Sequence, residues 1–179
     1  IIVSHPDFFL EANILANHHL QHDGLSNIVV TPQQIYNEFS SGAKDVTAIR
    51  DFVKMFYDKA NNASEMPKYL LLFGEGSYDN KNILSSKNDF IPTYQSTNST
   101  FETSSYVSDD FYGLLDDGEG IWTADAVDIG VGRIPVKSKE EAQIAVAKII
   151  NYATNNFSGT SSFGNWRNVV CFIADDGDI

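Results

Sequence analysis

Residues 68–74 read KYLLLFG, and this run decides the fold. Its apolar residues are continuous, not alternating, which marks a strand covered on both faces, as parallel strands between two helix layers are. Similar short runs flank it: IIVS at 1–4, NIVVTP at 27–32 ended by Pro32, DIGVGRIPV at 128–136 and NVVCFIA at 168–174. Helical spacing separates them. Phe8, Ala12, Leu15, Ala16 and then His19 or Leu20 recur on one face, and Gly24 closes that segment. QQIYNEFS at 33–40 is a short helix broken at Ser41 and Gly42. Val46, Ile49, Val53, Phe56, Tyr57 and Ala60 line a longer one, and Ala142, Ala145, Val146, Ile149 and Ala153 mark the last. Ser4 with Asp7, and Ser138 with Glu141, have the spacing of capping boxes, with Pro6 where a first-turn proline is tolerated.

Strands alternating with helices imply β-α-β units with right-handed crossovers. The expected fold is therefore α/β, a three-layer sandwich with a mainly parallel sheet. At 179 residues a single domain is expected, burying roughly 70% of the surface its unfolded form exposes. A strand reaching the first residue predicts a chain cut from a longer polypeptide. There is no internal repeat.

The formal charge of −12 repels phosphate backbones and argues against nucleic-acid binding. No stretch approaches the ~18 consecutive apolar residues of a membrane span, and the start lacks the basic region of a signal peptide. One cysteine makes no internal disulfide, which leaves the redox compartment open.

From about 75 to 126 the chain becomes rich in Ser, Asn, Thr, Asp, Gly and Tyr, with candidate strands only at FIPTY (90–94) and FYGLL (111–115). Long irregular segments on a rigid scaffold often carry function. SDDFYG and LLDDGEG concentrate Asp109, Asp110, Asp116 and Asp117 there, oxygen ligands of the kind Ca²⁺ takes. The EF-hand spacing fails, because Asp117 plus eleven positions reaches Asp128 where a glutamate is needed, and a solvated turn is the plainer account.

Other candidates are weaker. FGEGSYD (73–79) has Gly74 and Gly76 but neither a third glycine nor the Lys-Ser/Thr of a phosphate loop, so the glycines read as a sharp turn. His18 and His22 stand one helical turn apart, yet His19 occupies the place a zincin glutamate would take, and solvated face residues are expected. His5 sits beside a cap. Cys171 lies inside an apolar strand pattern and reads as a small buried residue, not a reactive thiolate. Asp175 and Asp176 follow that strand, where ligands and active groups of open α/β sheets collect, or where a helix cap would sit.

PKYLLLFGEGSYD (67–79), SDDFYG (108–113), DIGVGRIPVKSKEEA (128–142) and WRNVVCFIADDGD (166–178) together resemble the gingipain family of cysteine peptidases, closest to its branch of type IX secretion sortases of Bacteroidetes. GVGRIPV and FIADDGD are the most specific parts, and the first sixty or so residues carry little signature. The resemblance implies a caspase/gingipain-like fold of two α/β subdomains, with residues 1–179 as the first and the catalytic second subdomain outside them. It implies that the histidine of a GHG stretch and the cysteine nucleophile also lie outside, and that Cys171 matches a buried family position. It places Asp176 as the carboxylate orienting that histidine, with Asp175 as the alternative, because an aspartate has a shorter reach than the family's glutamate. It implies an extracytoplasmic protein, at the outer membrane and cell surface or secreted, acting on secreted proteins, and no required cofactor. Its first partner is then the second subdomain of the same parent chain, with a dimer through an exposed apolar face as a further expectation. The competing reading is a non-catalytic α/β module that binds a protein partner or Ca²⁺ through its Tyr- and Asp-rich loop.

Overall fold

The computed structural model describes residues 1–81, 83–84, 89–97, 100–120, 125–154 and 164–172. Its elements in chain order are β1 (Ile2–Ser4), α1 (Phe9–Asp23), β2 (Val29–Val30), α2 (Pro32–Phe39), α3 (Val46–Lys59), β3 (Tyr69–Phe73), β4 (Tyr94–Gln95), β5 (Val107–Ser108), β6 (Gly130–Ile134) and α4 (Lys139–Thr154). Short 3-10 turns occupy Pro6–Phe8, Glu102–Ser104, Asp110–Gly113 and Asn165–Asn168. β2, β1, β3 and β6 form a four-stranded sheet in that order, parallel throughout. β4 and β5 pair separately and antiparallel within the long insertion.

The unbroken apolar run of β3 is explained by two cores. Because successive strand side chains point to opposite faces, Leu70 and Leu72, with Val3 of β1, face α2, α3 and the turn at Asp110–Gly113. Leu71 and Phe73, with Ile2 of β1, face α1 and α4. The α/β three-layer sandwich expected from the sequence is what forms. Leu72 is fully buried, and burying such a side chain contributes roughly 1.5–3 kcal/mol.

The helices follow their sequence signals closely. Phe8, Ala12, Leu15 and Ala16 are the buried face at α1, and Gly24 ends it in the left-handed conformation at φ 68°. Thr31 and Gln34 form a full capping box for α2, with Pro32 in the first turn. At α4, Glu141 N–H donates to Ser138 Oγ at 3.2 Å, and the Glu141 carboxylate reaches back to Lys137 N–H at 2.7 Å.

Three expectations fail, each for a physical reason. Ser4 does not cap: it is a buried strand residue, and His5 caps the turn before α1 by accepting Asp7 N–H on Nδ1 at 3.3 Å. FYGLL is not a strand. Phe111 and Tyr112 are adjacent and both buried in the same core, whereas a strand would send them to opposite faces; the 3-10 turn turns both inward. Likewise, within FIPTY only Tyr94 joins a strand.

The third correction concerns NVVCFIA. Among the described residues, 169–172 join no strand, Cys171 is exposed, and Val169, Val170 and Phe172 are 71%, 72% and 88% exposed. An apolar run becomes a strand only when a neighbour supplies the backbone hydrogen bonds and a layer covers each face. Among the described residues these four pair with no strand and lie exposed; Val169 N–H donates back to Trp166 O at 3.0 Å, a turn bond. Residues 173 and 174 of that run lie outside them.

Candidate functional site

The C-terminal ends of the parallel strands gather on one rim, the place where open α/β sheets hold their ligands. β1 passes into His5, whose N–H donates to Phe73 O at 3.2 Å. Beyond β3, Gly74 N–H donates to Ile134 O at 3.0 Å and Glu75 N–H to Val136 O at 3.1 Å, so the pairing runs on past the strands. Glu75 O then accepts from Phe90 and Ile91 N–H at 3.0 and 3.1 Å, closing the excursion between them onto the rim.

The two glycines of this turn are required by space. Gly74 has φ 146°, and a Cβ there would lie 3.0 Å from Phe90 Cβ; at Gly76 it would lie 2.4 Å from Thr93 Cγ2 and 2.9 Å from Ile91 O. Protein atoms fill the close approach that a nucleotide phosphate would take, in line with the turn read from the sequence.

Three side chains on the rim are polar and close to their backbone anchors. Glu75 Oε1 pairs with Lys137 Nζ at 3.0 Å, while its Oε2 is buried without a partner. The His5 ring stands edge-on to Phe90 at 4.9 Å and is tilted against Phe8 at 5.7 Å. Burial holds its pKa below the usual histidine value, and the nearby Asp7 charge partly offsets this. With Nδ1 spent on the cap, His5 is a structural ring, not a free base.

Arg133 organises the insertion beside this rim. From β6 its guanidinium donates to both Asp109 oxygens at 2.7 Å, to Gly74 O at 2.9 Å, to Ile91 O at 2.8 Å and to Pro92 O at 3.1 Å. Tyr112 Oη donates to the same Pro92 carbonyl at 2.5 Å. Burial pushes the Tyr112 phenol far up, so it stays protonated as a donor. Sequence reading did not single out Arg133, although a lone charge inside an apolar strand pattern was the available sign.

The expected cation ligands do not converge. Asp109 belongs to Arg133, Asp110 opens a 3-10 turn on the surface, and Asp117 is 98% exposed with Lys54 Nζ at 3.0 Å. Asp116 instead has a carboxylate oxygen within 4.8 Å of one from Glu119 and one from Asp128, the first not among the expected ligands and the second the position at which the EF-hand spacing fails. Tyr57 Oη donates to Asp116 at 3.3 Å, and its pKa is raised first by desolvation and then by Asp128, Asp116 and Glu119. This trio lies before β6, away from that rim, next to Arg50 and Lys54, which donate to the backbone carbonyls of Leu114, Glu119 and Leu115.

Asp175 and Asp176 lie outside the described residues. Among the described residues no serine or cysteine side chain is hydrogen-bonded to a histidine ring: Ser4 Oγ donates to the backbone carbonyl of His5 at 3.1 Å, and the histidine rings bond with Asp7 and Asp23. No described helix is long and apolar enough to cross a membrane.

Comparison with known proteins gives this rim its context. The family model for peptidase family C25 matches residues 1–179. The crystal structure of dimeric latent PorU from Porphyromonas gingivalis is 39% identical over 84% of this chain, with a TM-score of 0.71. The chain spans only 15% of that protein's length. Two further structures share the fold at 20% identity over 84% of the chain: the complex of P. gingivalis RgpB pro- and mature domains, at a TM-score of 0.58 and 28% of that chain, and the Arg-specific cysteine proteinase gingipain R, at 0.59 and 27%. No curated protein matches. A model spanning every residue and a 39%-identical fold together establish that the chain belongs to peptidase family C25, the gingipain family of cysteine peptidases.

Proposed function

We propose that residues 1–179 are the first α/β subdomain of a gingipain-like cysteine endopeptidase of the PorU type, and that they act by positioning the catalytic groups of a following subdomain. The observation that carries this is the 39% identity to PorU on a shared fold. In the parent enzyme a histidine takes the proton from the cysteine thiol, and the thiolate sulfur attacks the peptide carbonyl carbon. The tetrahedral species collapses as the leaving amine takes that proton, giving a thioester acyl-enzyme. Water then releases the acid, or an acceptor amine takes the acyl group. The second outcome is the sortase reaction, in which secreted proteins lose a C-terminal signal domain and are attached to the cell surface.

Asp176 contributes by accepting the imidazole Nδ1–H, which fixes the tautomer and stabilises the imidazolium. Asp175 is the alternative. The test is kinetic, in the parent enzyme: Asp176→Asn lowers kcat about 10³- to 10⁴-fold, as wrong-tautomer variants do, while the thiol still titrates with an active-site alkylator. Unchanged kcat in both Asp176→Asn and Asp175→Asn refutes the assignment.

A second reading is favoured by the Asp116, Glu119 and Asp128 trio: a module that binds Ca²⁺, or a protein partner, through its acidic loop without catalysis. Calcium titration by calorimetry, with thermal shifts in the presence and absence of chelator, decides it. No heat and no shift in either experiment removes the cation version.

A further inference from the structure

The last two turns of α1 carry three histidines and an aspartate that the peptidase reading does not use. His18 and His22 stack one turn apart, with ring centroids 5.0 Å apart and planes at 22°. Asp23 bridges two imidazoles, with His22 Nδ1 at 2.8 Å from Oδ1 and His19 Nδ1 at 2.6 Å from Oδ2.

We propose that His18 and His22 form a binding site for a first-row transition-metal ion such as Zn²⁺, with Asp23 orienting His22. Three observations carry it. First, an i, i+4 histidine pair on one helix face is the spacing that lets two imidazoles share one ion. Second, Asp23 holds Nδ1 of His22 as a donor, which leaves the Nε2 lone pair as the ligand; a carboxylate behind a ligating histidine is the usual outer shell of such sites. Third, His18 Nε2 is buried with no hydrogen-bond partner. An unpartnered buried ring nitrogen costs free energy, and coordination in the tautomer that leaves Nε2 its lone pair removes that cost. The stacked rings direct their lone pairs side by side, so coordination requires both rings to rotate out of the stack until the two Nε2 atoms meet at one ion, with water completing the shell.

Imidazole nitrogen selects Zn²⁺, Cu²⁺ or Ni²⁺ over Ca²⁺ and Mg²⁺, so the site is chemically distinct from the Asp116, Glu119 and Asp128 trio. His19 and Asp23 also line a cleft of about 890 Å³ beneath the start of the strands, together with Ile28, Phe56 and Tyr69. Metal on the neighbouring rings clamps the helix end that forms one wall of this cleft.

The test is titration of the protein with ZnCl₂ by calorimetry in excess Ca²⁺, which occupies oxygen sites, together with NMR of the imidazole Hε1 signals. One saturable ion is expected, shifting the His18 and His22 signals. His18→Ala and His22→Ala each weaken binding at least tenfold, and Asp23→Asn weakens it about 10- to 100-fold, as outer-shell losses do. Alanine is a strong helix former, so these variants keep α1; if circular dichroism shows one has not, His22→Gln replaces it. Absence of a Zn²⁺ isotherm, or an isotherm unchanged in the His18→Ala/His22→Ala double variant, overturns the proposal. Neither result bears on whether the parent is a peptidase.

Discussion

Arg133 grips Asp109 with two parallel hydrogen bonds, Nε to Oδ2 and Nη2 to Oδ1, both 2.7 Å long, and the pair joins β6 to the middle of the long insertion. The side chains are 11% and 25% exposed, so the pair is mostly withdrawn from water. Removing one partner leaves the other charge poorly solvated. Asp109→Ala and Arg133→Met each destabilise by about 2–4 kcal/mol, read as a lower urea midpoint. Arg133→Lys also loses stability, because an ammonium lacks the planar fork that reaches Asp109 and three carbonyls together.

The turn after β3 is the tightest place on the rim. Gly76→Ala forces its Cβ against Thr93 Cγ2 and the Ile91 carbonyl, the second of which belongs to a backbone tied to Glu75 and Arg133. A loss of about 1–3 kcal/mol is expected, the usual cost of overpacking. Gly118→Ala is the comparison: it has nothing within 4 Å, and its strain comes only from φ 87°. The clash account requires Gly76→Ala to be the more destabilising of the two in chemical denaturation.

Much of this architecture was legible in the letters. The continuous apolar run of β3 and the Gly24 stop are local signals, and local geometry obeys them; the Thr31 cap with Pro32 in the first turn of α2 is equally local, but Pro32 reads first as the end of a strand. The His5 cap was hidden because the neighbouring Ser4 is the commoner capping residue, and the sheet claimed it as a strand end. FYGLL misled because adjacent aromatic residues suit either a strand or a 3-10 turn, and only the position of the α2–α3 core decides. Arg133, Glu119 and Asp128 were obscure for a different reason: their partners lie at separations of 9 to 59 residues or in turns whose shape is set by packing. The rim itself followed from the parallel topology.

His5 makes stability depend on mild acid. Its folded pKa lies below the ordinary 6.5, mainly through burial, so the unfolded chain takes up a proton that the folded chain resists. Its contribution is therefore full above about pH 6.5 and is lost as pH falls toward the depressed folded value. Protonation also turns Nδ1 from acceptor to donor and ends the cap on Asp7 N–H. NMR titration of the ring should give a midpoint below 6.5. His5→Asn keeps a capping acceptor without a titrating group, and it should flatten the decline in stability between about pH 7 and 5. An equal decline in that variant assigns the effect elsewhere.

Asp23 behaves in the opposite direction. Hydrogen bonds from His22 and His19 hold its carboxyl at about 2, below the ordinary 3.8. Its stabilising contribution is present above 3.8 and fades as pH falls toward 2. In the His19→Ala/His22→Ala variant, carboxyl-carbon NMR should return its midpoint to near 3.8. A midpoint still near 2 would show that the two imidazoles are not the cause.

Cys171 reports on the cover of the 169–172 segment. Exposed among exposed apolar neighbours, it should react with iodoacetamide in the folded protein at close to the rate of a free thiol. On the proposed reading a further subdomain covers this segment in the parent enzyme, and the same thiol should then be protected there by tenfold or more. Equal reactivity in both would leave the apolar segment without its proposed cover.

On the proposed function, these residues support a peptidase active site whose nucleophile and base come from a following subdomain. Peptide hydrolysis by the 179-residue chain alone tests it most directly, on Arg-, Lys- and broad-specificity substrates before and after thiol alkylation. No turnover above background is expected under either condition. Turnover abolished by alkylation of Cys171 would contradict it.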